Sequence, residues 1–318
     1  MRVFRDLNNL PQFRNSVITI GTFDGVHKGH QKLIERINAL AKQNNGESII
    51  ITFHPHPRIV INPQDKSLRL LNTIEEKIKL LEQYGVDNTV IVPFSRDFSE
   101  QTAEDYISNF LVKNFHPKSI VIGYDHKFGK NRSGDYHLLE NMKGQYGYSM
   151  EEITKETLDD IDISSTKIRN SLQQGEIKLA NELLGHNYTL TGTVIRGLQN
   201  GRKLGFPTAN LQVGDEYKLV PKTGIYAVRI HLPNLEDETK PAEQFNGMLS
   251  IGYNPTFEGK EQTIEVNILD FDRDIYGNPL TLEFIDYLRE EKKFNSIEEL
   301  IVAIKNDEVA SRNILEGK

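Results

Sequence analysis

The sequence contains no cysteine, and it has neither a long apolar run nor an excess of positive charge. Without cysteine the chain has no disulfides, cysteine-ligated zinc, iron–sulfur clusters or cysteine nucleophile. No apolar run approaches the length of a membrane span. The first twenty residues are broken up by Arg, Asp, Asn and Pro, and they lack the apolar block of a signal peptide. We therefore expect a cytoplasmic protein with no membrane partner.

Charge and length narrow the class further. The chain has 38 Lys and Arg against 45 Asp and Glu, a net charge of −7. General nucleic-acid binding needs a clustered positive excess, so no nucleic-acid partner is expected. The chain has 318 residues, whereas a single domain usually has ~100–200, so two domains are favoured. The sequence sets no oligomeric state.

The first part of the chain alternates short Ile- and Val-rich runs with helical patterns. This alternation predicts a parallel sheet covered by helices, because strands buried on both faces lack a polar face. The helix start signals are Thr73 with Glu76, in a helix that Gly85 closes, and Thr102 with Asp105. The four predicted strands are Val17–Ile20, Ser48–Phe53, Thr89–Val92 and Ser119–Ile122.

From residue 187 the pattern changes to strands joined by Gly, Pro, Asn and Asp. It predicts an antiparallel sheet, closed into a small barrel, with a final helix from Ile297 to about Leu315. We place the domain boundary after the helix end at Gly185, which gives domains 1–186 and 187–318. The polar segment His231–Gln244 is interpreted as a hairpin loop. The predicted strands are Tyr188–Ile195, Gly224–Ile230, Phe245–Ile251, Gln262–Leu269 and Leu280–Leu288.

A segment rich in Gly and His, from Gly21 to His30, follows the first strand and opens an amphipathic helix. The free N–H groups and partial positive charge of a helix N-terminus suit phosphate. His27 and His30 share a face there and can donate to phosphoryl oxygens, while Gly29 lets a ligand approach the backbone. A helix cap with incidental histidines is the alternative, and the strand–turn–helix placement favours phosphate binding.

A second helix start lies near the end of the first domain. Ser164, Ser165 and Thr166 supply hydroxyls there, and Arg169 is one of two cations. The group suits a triphosphate. Taken alone, the pattern favours an ordinary Ser/Thr cap.

A glycine-rich loop in the second domain carries Gly201, Arg202 and Gly205, which suit a nucleotide phosphate. Thr208 and Asn210 follow two residues apart and are oxygen donors suited to Mg²⁺ held with a nucleotide. The alternative is a hairpin with a polar tip. Glu265 lies on the polar face of a later strand, where a single carboxylate is usually just solvated.

Several of these segments together resemble a known family. The stretch from Thr22 to His30 is similar to the nucleotidylyltransferase signature of prokaryotic FAD synthetases, and Phe53–Pro57, Gly123–Gly129 and Ile163–Arg169 follow in the same order. The resemblance implies a Rossmann-like α/β domain. It also implies nucleotide contacts at Gly21, Phe23, Asp24 and Gly29, and flavin contacts at His54, Pro55 and Asp125.

The second domain resembles the riboflavin kinase barrel. Pro207–Asn210 matches that family's nucleotide and magnesium motif, with Thr208 serving both. The resemblance implies that Glu265 is the general base and that Arg289 belongs to the flavin site. Two positions depart from the family pattern. His126 stands where many members have an aromatic residue, and Asn267 where many have His.

The resemblance covers about residues 1–316 and implies a bifunctional enzyme. It would use ATP and Mg²⁺ to phosphorylate riboflavin to FMN, and then adenylylate FMN to FAD with release of pyrophosphate. Its partners would be the small molecules ATP, riboflavin and FMN. Two alternatives remain: a non-catalytic flavin-binding regulator, and an adenylyltransferase for another phosphorylated cofactor precursor.

Overall fold

A six-stranded parallel sheet organises the first part of the chain in the computed structural model. The strand order is β1-β4-β3-β2-β5-β6. The strands are β1 Arg2–Phe4, β2 Val17–Ile20, β3 Ser48–His54, β4 Asn88–Pro93, β5 Ser119–Gly123 and β6 Ser149–Ile153. The predicted α/β fold is confirmed, together with all four predicted strands. The short strands β1 and β6, at the two edges, were missed.

The structure describes residues 1–124, 126–154, 163–197, 201, 204–234, 237, 240–256 and 259–317. These residues fall into two compact units, Met1–Ser165 and Thr166–Lys318. Among them, no helix is both long and apolar enough to cross a membrane.

Helices cover both faces of the sheet in the first unit. The predicted start at Thr73 is confirmed as a full capping box, in which Thr73 and Glu76 each bond the other's backbone N–H. The predicted start at Thr102 is also confirmed, and there a π-helix, Tyr106–Val112, continues the α-helical turn. The α-helices are α1 Lys28–Gln43, α2 Pro57–Ile61, α3 Ile74–Gln83, α4 Arg96–Ser99, α5 Ala103–Asp105, α6 Lys113–Phe115 and α7 Tyr136–Tyr146.

The core of this unit lies on the two faces of strand β2, all four residues of which are buried. Ile18 and Ile20 face an aromatic layer that includes Phe110. Val17 faces the opposite way, toward the apolar stripe of α1 that includes Ile34. Burial on both faces explains why this strand has no polar alternation in the sequence.

The second unit contains the predicted closed barrel, with strand order β10-β11-β8-β7-β12-β9. The strands are β7 Thr189–Ile195, β8 Ala209–Gln212, β9 Gly224–Leu232, β10 Glu243–Thr256, β11 Gly259–Ile268 and β12 Pro279–Arg289. The five predicted strands are confirmed, and the short β8 was missed. Strands β9 and β10 pair as a hairpin around the predicted loop, of which 235, 236, 238 and 239 lie outside the described residues.

Three further α-helices follow in the described part of the chain: α8 Ser165–Gln174, α9 Ile177–Leu184 and α10 Ile297–Glu316. The predicted final helix is confirmed, with Ser296 as its N-cap. Helix α9 packs on β12, where the Asn181 side chain donates to the Phe284 carbonyl at 2.8 Å.

Candidate functional sites

The Gly- and His-rich segment lies where ligands bind in open α/β sheets. Strand β2 has β3 on one side and β5 on the other, and β3 follows β2 in the chain whereas β5 comes later. The direction of chain winding therefore reverses at β2 and β5, which makes a crevice at the carboxyl ends of these strands. The turn from Gly21 to His27 leaves β2 at this point.

The turn itself has an unusual backbone. Phe23, Gly25 and Val26 have φ angles of +47°, +88° and +40°. A positive φ costs a non-glycine residue on the order of 1–3 kcal/mol, and more for a β-branched one, unless its surroundings impose it. The turn therefore depends on the groups packed around it.

The two histidines lie together at the end of the turn. His27 is the N-cap of α1, and its Nδ1 accepts from the backbone N–H of His30 at 3.4 Å. Their rings stack with centroids 3.7 Å apart. A Cβ on Gly29 would lie 3.3 Å from the His27 ring, so glycine leaves this approach open. The predicted shared face of the two imidazoles is present.

The imidazole of His30 is held in its neutral form. Burial, with further contributions from His27 and Lys77, lowers the pKa of His30 well below 6.5. Its Nδ1 is buried and has no hydrogen-bond partner among the described residues. A buried polar atom without a partner is costly. This atom is thus suited to an incoming polar ligand.

The turn is also stabilised by packing and hydrogen bonds of its own residues Gly21, Phe23 and Asp24. The Phe23 ring is buried, with its centroid 4.9 Å from that of His30. A Cβ on Gly21 would meet this ring at 3.2 Å. The Asp24 carboxylate is buried and accepts from the Leu71 backbone N–H at 2.8 Å. Their predicted nucleotide contacts stay predictions.

The segment predicted to contact flavin follows β3 at the same edge of the sheet. His54 and Pro55 are exposed there. His56 caps the short helix α2 by accepting from the Arg58 backbone N–H at 3.2 Å. Asp125, the third predicted flavin contact, lies outside the described residues.

The second helix start predicted for phosphate is the beginning of α8. Ser164 is exposed, and the Ser165 hydroxyl donates to the Asp24 carbonyl at 2.9 Å. One hydroxyl of the group therefore holds the histidine turn. Thr166 is exposed and accepts from Arg169 at 3.5 Å.

In the barrel, strand register brings three predicted residues together. Glu265 on β11 lies directly opposite Asn210 on β8, so the two side chains share a face of the sheet. Thr208 precedes Asn210 by two residues, and its hydroxyl donates to Glu265 Oε2 at 3.0 Å. The interpretation of Glu265 as a merely solvated carboxylate is weakened by this contact.

Glycines shape the loop over these residues. A Cβ on Gly197 would come within 2.2 Å of Asn210 Nδ2, and one on Gly201 within 2.3 Å of the Phe206 carbonyl. Gly205 has a φ of +86°. Glycine is therefore required for the loop to lie this close to the strand. Arg202 lies outside the described residues.

Arg289, a predicted flavin contact, joins β12 to α10. Its guanidinium donates two hydrogen bonds to Asp307, at 2.8 and 2.6 Å, and lies 5.8 Å from the Phe294 ring centroid. The carboxylate of Asp270 makes a similar two-bond pair with Arg312, at 2.8 and 2.9 Å. Asp270 is therefore already engaged, which favours Glu265 as the base.

Sequence reasoning missed the supporting contacts of three polar residues, of which it had singled out only Asn267, as a departure from the family pattern. The Lys77 ammonium donates to the Thr22 carbonyl at 2.6 Å, and Asn72 Oδ1 accepts from the Gly25 N–H at 2.7 Å. In the barrel, Asn267 Nδ2 donates to the Pro207 carbonyl at 2.7 Å. A signal existed for Lys77, because it falls on the buried stripe of α3.

Two family models match the chain. The one described as FAD synthetase matches residues 10–167, and the one described as riboflavin kinase matches residues 184–315. The two matches follow each other along the chain in the order of the two sites described above.

Several curated proteins are similar over nearly the whole chain. A bifunctional riboflavin kinase/FMN adenylyltransferase from Listeria monocytogenes is 38% identical, over 94% of this chain and 92% of the relative. A protein of the same name from Escherichia coli K12 is 34% identical, over 98% and 97%. The crystal structure of a protein called a macrolide-efflux protein, from Streptococcus pneumoniae, superposes with a TM-score of 0.85 at 30% identity and covers 98% of both chains.

Proposed function

The chain belongs to the family of bifunctional riboflavin kinase/FMN adenylyltransferases, and we propose from this that it phosphorylates riboflavin to FMN with ATP and then adenylylates FMN to FAD. The observation that carries the proposal is that the two family models match successive parts of the chain, each of which holds its own cluster of reactive side chains. We place both reactions in the cytoplasm, where ATP is available.

We assign adenylylation to residues 1–186 and phosphorylation to residues 187–318. The family matches, which end at 167 and begin at 184, support these limits. The compact units divide earlier, at Ser165, because α9 packs on the barrel strand β12.

In the kinase reaction, the oxygen of the riboflavin 5′-hydroxyl attacks the γ-phosphorus of ATP, and Glu265 accepts the proton of that hydroxyl. The bond from that phosphorus to the β,γ-bridging oxygen breaks, and ADP leaves. The hydrogen bond from Thr208 fixes one carboxylate oxygen of Glu265 and thereby orients the base. A positioned base contributes ~10²–10⁴-fold to such a step.

The residues around Glu265 fit a magnesium ion. The Thr208 hydroxyl donates a hydrogen bond to Glu265, so the lone pairs of the Thr208 oxygen point away from Glu265 and can face a cation. Asn210 lies on the same face of the sheet as Glu265. Mg²⁺ keeps several waters and shares its coordination with substrate phosphates, and Ser/Thr hydroxyls and Asn side chains serve as its protein ligands at nucleotide sites, so these two donors fit the ion. The ion would supply charge neutralisation on the ATP phosphates, and Gly201 and Gly205 would let the loop backbone approach them.

In the adenylyl transfer, an oxygen of the FMN phosphate attacks the α-phosphorus of ATP, and the bond to the departing pyrophosphate breaks. No protein nucleophile is needed. Because His27 Nδ1 accepts a hydrogen bond, a neutral His27 carries its proton on Nε2 and donates from there. His30 is neutral and buried beside it, and the pair stabilises developing charge on the phosphoryl oxygens.

We propose contacts of the flavin with His54 and Pro55 in the first site and with Arg289 in the second. We propose contacts of the nucleotide with Gly21, Phe23, Asp24, Gly29, Ser164, Ser165, Thr166, Arg169 and Arg202. The exposure of His54 and Pro55 at the ligand-binding edge of the sheet supports the first flavin contact.

The proposal is tested by incubating the pure protein with riboflavin, ATP and Mg²⁺ and separating the products by chromatography. FMN is expected first and FAD later, together with ADP and pyrophosphate. Tight binding of flavin without turnover would instead indicate a non-catalytic regulator. Turnover of another phosphorylated precursor, with none of FMN, would indicate a different adenylyltransferase.

A further inference from the structure

Lys77 is a buried cation beneath the histidine turn, and none of the steps above uses it. It lies on α3, where Ile74, Lys77 and Leu81 form the buried stripe of the helix. Its side chain is 6% exposed. Burying an ammonium group is costly unless it is paired and hydrogen-bonded. A lysine in a core position is therefore expected to have specific partners.

The surroundings of Lys77 supply its partners. The ammonium donates to the Thr22 carbonyl at 2.6 Å, and the charge of the buried Asp24 stabilises it. Both partners belong to the turn with left-handed residues. Two neighbouring residues act on the same turn: Leu71 donates its N–H to Asp24, and Asn72 accepts from Gly25.

We propose that Lys77 is a positioning residue for adenylyl transfer, which holds the turn from Thr22 to Asp24 so that His27 and His30 stay stacked at the phosphate site. It touches no substrate. The inference rests on the proposed adenylylation of FMN. A turn with positive φ at Phe23 and Val26 persists only where its surroundings impose it. Lys77 contacts Thr22, the residue directly before Phe23.

The charge of Lys77 has a second consequence, for His30. Within the described part of this unit, the titratable groups that act on His30 are His27, three residues before it in the chain, and Lys77 on α3. After burial, these two lower the pKa of His30, and Asp24 in turn faces Lys77. Removing the ammonium should therefore raise the pKa of His30 toward 6.5, the ordinary value.

A role in positioning and a role in stability predict different behaviour for Lys77→Met. Methionine has a similar length and removes a buried charge, and Thr22 keeps its hydrogen bond from the Thr52 hydroxyl at 3.2 Å. We expect the melting temperature to fall, because the variant leaves the buried Asp24 carboxylate without its cation, so the rates are compared at a temperature at which both proteins are folded. We expect the kcat for FAD formation from FMN to fall by about 10- to 100-fold through displacement of the turn.

The experiment compares the wild type with Lys77→Met and with Lys79→Met, a matched control on the exposed face of the same helix. For each full-length protein it measures FAD formation from FMN, riboflavin phosphorylation, the melting temperature and the NMR titration of His30. Loss of FAD formation in Lys77→Met alone, with a raised pKa of His30 and unchanged riboflavin phosphorylation, supports the proposal.

Other results overturn it. FAD formation within twofold of the wild type, or a His30 titration that does not move, shows that Lys77 does not position the histidines. If Lys77→Met does not fold, Lys77→Gln is measured in the same way with the same expectations. If neither variant folds, Lys77 serves stability and the proposal fails. A wild-type protein that makes no FAD from FMN refutes the proposed function itself, whatever the variants do.

Discussion

The two candidate sites hold their reactive side chains by different means. His27 and His30 follow a turn with left-handed residues, which buried polar groups on α3 and just before it hold in place. Glu265 and Asn210 are instead aligned by the pairing of two barrel strands. A turn of this kind depends on each of its few partners, whereas strand register is maintained by the whole barrel. We therefore expect activity at the first site to fall when residues that only support the turn are substituted. Activity at the second site should fall mainly when the reactive residues themselves are substituted.

Glu265→Gln is expected to give the largest difference between the two activities, riboflavin phosphorylation and FAD formation. Glutamine keeps the shape and can still accept from Thr208, but it cannot take the hydroxyl proton. Riboflavin phosphorylation should fall by ~10²–10⁴-fold, with FAD formation from supplied FMN unchanged. Initial rates of both steps check this, with the exposed Glu298→Gln as control. Phosphorylation within a few-fold of the wild type would show that Glu265 is not the base.

His30→Asn makes the corresponding change in the first unit. Removing one preorganised group at the phosphate site should lower FAD formation by ~10²–10³-fold and leave FMN formation nearly intact. The exposed His137→Asn serves as control. A variant that adenylylates FMN at the wild-type rate would contradict the assignment of this site.

Asn267→Ala tests whether the barrel site also depends on a supporting residue. The change removes the 2.7 Å hydrogen bond to the Pro207 carbonyl, and because Pro207 is exposed this loss costs only ~0.5–1.5 kcal/mol. Because strand pairing still holds Thr208 and Glu265, we expect only about a tenfold fall in riboflavin phosphorylation. Gln262→Ala, exposed on the same strand, is the matched control. A fall as large as that of Glu265→Gln would remove the contrast between the sites.

The smallest effect concerns the fragment that carries the barrel. Residues 187–318 alone should fold and phosphorylate riboflavin. A fragment from 166 should be more stable by at least ~1 kcal/mol, because α9 buries Ile177, Ala180, Leu183 and Leu184. Urea unfolding of both fragments measures the difference. Equal stability of the two fragments would place α8 and α9 outside the barrel unit. A folded 187–318 fragment without kinase activity would refute the independence of the kinase site from the first unit.

Much of the fold could be predicted because its signals are local. Strand β2 is predicted to the residue, since burial on both faces produces a short Ile- and Val-rich run without a polar face. The caps at Thr73 and Ser296 bond the helix backbone as their spacing predicts. Strand β8 has the same length as β2, but it was missed because only one of its four residues, Leu211, is buried and it follows a loop of Gly and Pro, so its pairing partners, not its own pattern, make it a strand.

The candidate sites could be predicted less completely. The motifs indicated His27, His30, Thr208 and Asn210, and the strand alternation placed Glu265 on a polar face. The contact between Thr208 and Glu265 joins residues 57 positions apart in the chain, and no local pattern encodes such a pairing. The supporting contacts of Asn72, Lys77 and Asn267 were missed for the same reason.

The edges of the parallel sheet bear on how the protein resists aggregation. The described barrel strands form a closed ring, whereas among the described residues β1 and β6 each pair with a neighbouring strand on one side only. An exposed edge is a template for pairing with another chain unless it is short or charged. Strand β1 has three residues, one of them Arg2, and β6 carries Glu151 and Glu152. Glu151 is paired with Arg36, so two copies that met through β6 would bring chiefly their Glu152 carboxylates together, and this repulsion discourages self-association at the edge.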